Sequence, residues 1–444
     1  MTLTSATSRY DKYKDSGIEW IGEIPDSWLL RKFKYIFKII SGNGFPEMLQ
    51  GNPHGDYPFC KCSDINGQKR EIASAQNYVD QSTVINYKFN IIPIKSIIIA
   101  KIGEALKKNH RKINIVKCVI DNNMEACVFQ NFDAYNIIFY FYILTCIDML
   151  WFDNGGTIPS INNEKLKNFY LPCTSIKEQE AIAGYLDKKC GAIDETIEKQ
   201  KSVIEKLKEY KQSIITQAVT KGLDKSAPMK DSGIEWIGQI PKHWEIIKFK
   251  NCISKIADID HYMPNSVDIG YPYLMTGDLK ECASQINFDI CKKISSEDYI
   301  DLATKIHPQK DDIIFARYAT IGTLCYVDIS KEFLVSYSCL TIRPLNVKVL
   351  GKFIFYYLKS DIFTNEIMQY VNSNTQSNIG LDSLKRILVI LPNVIEQKQI
   401  ISYLDKKCLE IDKTIEDKEK LIEKLVEYKK SLIYECVTGK KRVI

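Results

Sequence analysis

The sequence predicts an α+β protein. Two tandem α/β heads are separated by two long helices that pack as an antiparallel coiled coil with pseudo-twofold symmetry. Three observations carry this reading. One helix-length stretch places apolar residues at eight of ten steps of a seven-residue repeat, the pattern returns 218 residues later, and a twelve-residue word ahead of each head occurs twice with one change.

The repeat is clearest from about Glu178 to Lys221. Alternating steps of four and three residues from Leu186 reach Cys190, Ile193, Ile197, Gln200, Ile204, Leu207, Lys211, Ile214 and Ala218, and eight of these ten positions are apolar. Adding 218 gives Leu404, Cys408, Ile411, Ile415, Lys418, Ile422, Leu425, Lys429, Leu432 and Cys436, with the polar exceptions at the same two steps in both copies. A duplicated helix needs an apolar partner, and the other copy is the economical one. About 40 residues at ~1.5 Å rise make a rod of roughly 60 Å. Polar seam residues commonly fix register, so Gln200, Lys211, Lys418 and Lys429 are expected to set the alignment; the plain alternative is that their ends reach water along a partly buried seam. Gly222 is the expected C-cap of the first helix.

The word KDSGIEWIGEIP at Lys14–Pro25 returns as KDSGIEWIGQIP at Lys230–Pro241, identical at eleven of twelve positions. The chain therefore divides into a first head at 1–175, a long helix at 176–221, a linker at 222–229 (GLDKSAPM), a second head at 230–393 and a second long helix at 394–444. Each head repeats one skeleton. A short strand starts at Tyr57-Pro58 or Tyr271-Pro272, and an apolar strand follows at Ile97–Ala100 or Ile313–Ala316. Then come a β-branched strand, an aromatic helical run, and a Leu-Pro step (Leu171-Pro172, Leu391-Pro392) leading to Glu178-Gln179 or Glu396-Gln397. The edges of the repeats are near copies and the middles have drifted. The basic cluster Lys107–Lys112 has no evident counterpart in the second head. Faster drift of surface loops is one explanation, and recognition of two different things is another.

With 444 residues, 45% hydrophobic and 26% charged, the chain is globular and holds more than one core. The net charge of +5 allows local nucleic-acid patches without demanding them. The fourteen cysteines include no C-x-x-C pair, which fits reduced thiols rather than disulfides or zinc. No metal site is expected from five scattered histidines. The start, MTLTSATSRYDKYK, has no hydrophobic signal core and no apolar run is of membrane length, so a cytoplasmic chain without membrane contact is expected. No phosphate loop, no G-x-G-x-x-G and no D/N-P-P-[YF] word occurs, and nothing else points to an enzyme.

The two openings, the Pro172/Glu178-Gln179 and Pro392/Glu396-Gln397 junctions, LDKKC at Leu186 and Leu404, and the endings from Glu205 and Glu423 closely resemble, in order and twice over, the specificity subunit of type I restriction-modification systems. The resemblance covers nearly the whole chain. It implies a non-catalytic reader of double-stranded DNA with two target-recognition domains, each taking one half of a split asymmetric site. It implies as partners two methyltransferase subunits, which would supply S-adenosylmethionine and adenine methylation, and a translocating endonuclease subunit. No cofactor is expected on this chain itself. A rod of ~60 Å would set the heads one to two DNA turns of ~34 Å apart. A coiled-coil scaffold for two protein-binding heads, without DNA contact, is the alternative.

Groove and phosphate contacts call for Lys, Arg, Asn, Gln, Ser or Thr in loops. In the first head the candidates are Lys101 and the cluster Lys107, Lys108, His110 and Arg111, with Lys61 and Ser63 beside the Tyr57-Pro58 strand. A solvated charge run, or an ordinary strand's outward face, would explain them equally. In the second head they are Arg317 and Tyr318, in the place of Lys101 and Ile102, together with Thr276 and the polar residues Asn374 and Gln376. Arg317 suits guanine, while a salt bridge to Asp311 or Asp312 is the plain alternative. Asn374 and Gln376 suit adenine unless their run is merely a turn-rich loop. The helix seam is assigned to Leu186, Ile193, Ile197, Ile204, Leu207, Ile214, Leu404, Ile411, Ile415, Ile422, Leu425 and Leu432.

Overall fold

The structure is a computed structural model that describes residues 9–67, 69–318, 321–370 and 378–443. It comprises two compact units, Met1–Lys199 with Lys420–Ile444, and Gln200–Glu419. Each unit therefore takes one head together with part of both long helices.

The first long helix runs Ile176–Lys221 and the second Val394–Val437. Ser175 caps the first with its hydroxyl, which accepts from the Glu178 amide at 3.3 Å. Asn393 does the same for the second, accepting from the amides of Ile395 and Glu396 at 3.0 Å each. Gly222 and Gly439 follow the last turns with φ of +72° and +75°, the left-handed conformation that closes a helix.

The seam residues face inward in both units. In the first, Leu186, Cys190, Ile193 and Ile197 share a core with Leu432 and Cys436, with Ile422 and Leu425 packed against it. In the second, Ile214 and Ala218 share a core with Leu404, Cys408 and Ile411, flanked by Leu207 and Ile415; Ile204 is also buried. Within each unit the early part of one helix meets the late part of the other, so the pair runs antiparallel. The four polar seam residues all find partners across it. Lys211 Nζ lies 2.7 Å from Asp412, and Lys429 Nζ lies 2.6 Å from Asp194. These are the same pair of repeat positions, seen once in each unit. Lys418 Nζ donates to Gln200 Oε1 at 2.9 Å across a sequence distance of 218, so a residue here meets its own repeat copy. Burial disfavours the Lys211 charge, yet the Asp412 hydrogen bond and the charges of Glu281 and Asp412 outweigh it, and its pKa rises above the ordinary lysine value. A raised lysine pKa means stabilisation that is complete at neutral pH and lost only as pH climbs through the raised value.

The largest sheet of each head is antiparallel, apart from one edge pair in the first. In the first, the strand order is Phe37–Ser41, Met124–Phe129, Ile97–Ala100, Arg111–Asn114 and Glu71–Ile72, the last pair parallel. In the second it is Ile253–Ala257, Cys339–Pro344, Ile313–Ala316 and Leu324–Tyr326. The strands Ile97–Ala100 and Ile313–Ala316 are apolar throughout because both faces are covered. Ile97 and Ile99 enter the core shared with the helices, while Ile98 and Ala100 enter a second, smaller one. Ile313 and Phe315, then Ile314 and Ala316, divide in the same way. The strand Arg111–Asn114 has its counterpart in Leu324–Tyr326, since Arg111 pairs with Ile99 as Leu324 pairs with Phe315. What the second head lacks, among its described residues, is the short helix Gly103–Lys107 that carries part of the basic cluster.

The repeated words hold head to helix. Gln179 is fully buried; its Oε1 accepts from the Asn136 amide at 2.9 Å and its Nε2 donates to the Thr174 carbonyl at 2.7 Å. Gln397 does the same with the Leu350 amide and the Pro392 carbonyl, both at 2.9 Å. Asp187 accepts from Tyr142 at 2.8 Å and Asp405 from Tyr356 at 2.6 Å. Trp28 and Trp244, which close the opening words, are almost fully buried.

Glycine substitutions separate these constraints. Gly191 lies exposed within the first helix with open space around a built Cβ, so Gly191→Ala should stabilise the chain by about 0.5–1 kcal/mol. A Cβ on Gly439 would meet Pro25 Cδ at 2.3 Å and needs a left-handed φ, so Gly439→Ala should cost more than about 1 kcal/mol. Urea unfolding midpoints of the two variants would test both signs.

Candidate nucleic-acid interface

The apolar strand of each head ends in a cation. Lys101 follows Ala100, and Arg317 follows Ala316. Both backbones are pinned from two sides. The Lys101 amide donates to Asn123 O at 2.9 Å and its carbonyl accepts from Ile161 at 2.9 Å; for Arg317 the partners are Ser338 at 3.0 Å and Ile379 at 3.2 Å. The bridges Ile102 to Ser160 and Tyr318 to Asn378 extend the match. The loop ahead of Ser160 in the first head thus takes the place of the polar run that leads to Asn378 in the second. Sequence reading picked out that run only in the second head, where Asn374 and Gln376 lie outside the described residues. The shared spacing Asn154, Thr157, Ser160, Ile161 against Asn372, Thr375, Asn378, Ile379 was the available signal.

The other candidates separate. Lys61 and Ser63 belong to no strand face, because the strand ends at Cys60 and a turn follows, held by Asp64 accepting from the Lys61 amide at 2.6 Å. Lys61 Nζ donates to Gln50 Oε1 at 2.7 Å and lies over the Phe45 ring, whereas Ser63 is exposed. Thr276 occupies the matching turn, where Asp278 accepts from the Met275 amide at 2.8 Å, so it stands in the place of Cys62. Lys107 and Lys108 are exposed, Lys107 pairing with Glu104 within its own helix, and His110 is half-buried. Arg111 departs from the expectation of a surface contact. It is 8% exposed, and its Nη2 donates to the Ile147 carbonyl at 2.9 Å and to Asn109 at 2.8 Å. Burial pulls its pKa down to about 10. Lys112, 4% exposed, is capped by the carbonyls of Gly67 and Lys69. Both sit on a covered sheet strand, and the pattern of RKINIVK was the sign of it.

Arg317 pairs with neither Asp311 nor Asp312. Its Nη2 lies 2.7 Å from Asp258, while Asp312 holds Arg343 at 2.8 Å and Asp311 accepts from the Tyr326 hydroxyl. Asp258, 6% exposed, also attracts Lys305 at 3.3 Å and His261 at 3.5 Å. In the first head the carboxylate under the cation is Glu125, 1% exposed and 3.8 Å from Lys101. It accepts from Ser41 Oγ at 3.1 Å and Asn163 Nδ2 at 2.8 Å. Glu125, Asp258 and His261 escape sequence reading, because each reaches the cation from a remote segment. Among the described residues no group of His, Cys, Asp and Glu is arranged to hold a metal ion.

Two equivalent α+β heads, each offering a differently furnished polar edge at the exit of the same strand, define a duplicated recognition module carried on matched helices. A family model for the type I restriction modification DNA specificity domain matches residues 25–208 and again 243–425, and the chain belongs to this family. It is 25% identical over 306 residues to the MjaVIII type I restriction enzyme specificity subunit of Methanocaldococcus jannaschii, covering 65% of this chain and 66% of that one. It is 22% identical over 258 residues to the EcoBI specificity subunit of Escherichia coli, covering 56% and 54%. The matches thus span just under two thirds and about half of these relatives. A chain in a structure describing complex assembly and conformational transition of the type I R-M system shares the fold, with a TM-score of 0.71, 13% identity and coverage of 93% and 98%.

The burial of Arg111 makes it separable from its neighbours. Arg111→Ala should destabilise the chain by about 2–4 kcal/mol through lost packing and the loss of its hydrogen bonds to the Ile147 carbonyl and Asn109. Lys108→Ala, fully on the surface, should change stability by under ~0.5 kcal/mol. Chemical denaturation of the two variants side by side is the measurement.

Proposed function

We propose that this chain is the sequence-specific DNA-recognition subunit of a type I restriction-modification complex, itself without catalytic activity. Each head reads one half of a bipartite asymmetric target, while the paired helices set the spacer and dock two methyltransferase subunits, to which an endonuclease subunit can be added. The observation that carries this reading is the doubling itself: the family match falls once on each head, and the heads keep one framework while changing the polar groups at its edge. Phosphate contacts would come from exposed lysines such as Lys107 and Lys108, which position without specifying. Base contacts would come from the loops at the strand exits. Methyl transfer and cleavage, with S-adenosylmethionine, belong to the partners.

A thiol-dependent activity finds no support in the chain. Burial, reinforced by Asp121, raises the half-exposed Cys62 to about 11, and burial raises Cys252 to about 12, so neither yields much thiolate at neutral pH. No helix among the described residues is long and apolar enough to cross a membrane. The reading places the chain in the cytoplasm, with the DNA.

Sequencing of modified bases in host DNA, with and without this gene, tests the reading. A split adenine-methylated motif should be present with the gene and vanish without it; identical methylomes would contradict the proposal. A salt series on the purified complex separates a reader from a protein scaffold. About six phosphate contacts should cost roughly a thousandfold in affinity between 50 and 200 mM salt, and a scaffold would show no such slope.

A further inference from the structure

At the strand exit the two heads reach the same electrostatic arrangement by different routes. In the first, the carboxylate under Lys101 is Glu125, on the neighbouring strand Met124–Phe129. In the second, the carboxylate under Arg317 is Asp258, just past the strand Ile253–Ala257. A buried carboxylate is costly, and a well-packed apolar pair would stabilise either place as well or better. What the two heads share is a cation fixed at one point of the frame, and not the residues that fix it. Such a device makes sense where the position of a charge matters more than stability.

The groups delivered to the surface differ. Lys101 Nζ stands 3.8 Å from Glu125, close enough for attraction and too far for a hydrogen bond, and the side chain keeps 28% of its surface exposed. Its ammonium can therefore donate outward. Arg317 is only 10% exposed at its side chain, with Nη2 committed to Asp258 and its plane over the Tyr318 ring at 4.7 Å. Here the exposed group is His261, 58% exposed, stacked on Tyr337 at 4.8 Å and 23°. Its Nε2 lies 3.2 Å from Arg317 Nη2, nearer than the 3.5 Å to Asp258. A guanidinium only donates, so with Nε2 turned to Arg317 the ring nitrogen left to donate outward is Nδ1. The second head thus also presents a fixed donor.

We propose that Lys101 in the first head and His261 in the second are equivalent base-contacting residues, each donating to a purine acceptor edge in the major groove. Glu125, and Asp258 acting through Arg317, are their positioning residues. A lysine favours the O6 and N7 pair of guanine, whereas a single imidazole donor can address N7 of either purine, so the two half-sites differ at this point. The inference rests on the reading of the chain as a DNA-recognition subunit.

The test uses the complete complex, expressed in cells lacking other adenine methylation, with the methylome sequenced for wild type, Lys101→Ala, His261→Ala, Arg317→Lys and Glu125→Gln. His261 is exposed enough for alanine to leave the fold intact, and in Lys101→Ala the Glu125 carboxylate keeps its hydrogen bonds from Ser41 and Asn163. Lys101→Ala should lower discrimination about tenfold at one base pair of one half-site and leave the other half unchanged. His261→Ala should do the same in the opposite half. Arg317→Lys and Glu125→Gln should relax the same base pairs as His261→Ala and Lys101→Ala respectively, a coincidence that a purely structural role would not produce. Wild-type discrimination in both alanine variants would overturn the inference, as would relaxation at unrelated positions by the two positioning variants. Absence of any split motif with the wild-type chain would instead overturn the recognition reading beneath it.

Discussion

Neither head closes its core alone. The first completes its core with Leu186 to Ile197 of one long helix and Leu432 to Val437 of the other; the second uses Ile214 to Val219 and Ile400 to Ile411. This shared closure is the constraint on which the remaining structure depends. It explains why the chain is duplicated and not merely extended. A single head-and-helix repeat would leave one apolar seam uncovered along most of its length, and two repeats cover each other. It also explains the polar seam positions, because a uniformly apolar seam would tolerate slippage, whereas Lys211 with Asp412 and Lys429 with Asp194 are met together in only one register. Partly buried ion pairs such as these contribute modestly to stability, and we propose that alignment of the two helices is their main role.

The same logic sorts the repeated words. Residues that look like signature motifs, Gln179 and Gln397 or Asp187 and Asp405, are fasteners between a helix start and its head. They were legible as words because both heads need the same fastener, and legible as a fold because the apolar period of a long helix is a strong local signal. The central strands were equally plain, since a strand covered on both faces becomes an apolar run. What identifies this family in the sequence is therefore its framework, while the proposed recognition chemistry falls in the stretches that differ.

That is why the interface was harder to read. A basic run such as Lys107 to Lys112 invites a single interpretation, yet the chain leaves the surface within it. Lys107 and Lys108 face solvent, and Arg111 and Lys112 are buried by the adjoining strands and loops. Conversely, the groups gathered around Lys101 and Arg317 come from segments scattered through each head. No local window contains Ser41, Glu125 and Asn163 together, or Asp258 and Arg317. Register between strands brings them side by side, and register is a property of the folded sheet.

The antiparallel, clasped helix pair is the claim on which this account stands, and zero-length carbodiimide cross-linking with peptide mass spectrometry addresses it most directly. Lysine and carboxylate at 2.6–2.7 Å should be joined as Lys211 to Asp412 and Lys429 to Asp194. Recovery of both links from the intact chain is the predicted result. Links joining like ends of the two helices, such as Lys211 to Glu427 or Glu435, with neither predicted link present, would contradict it.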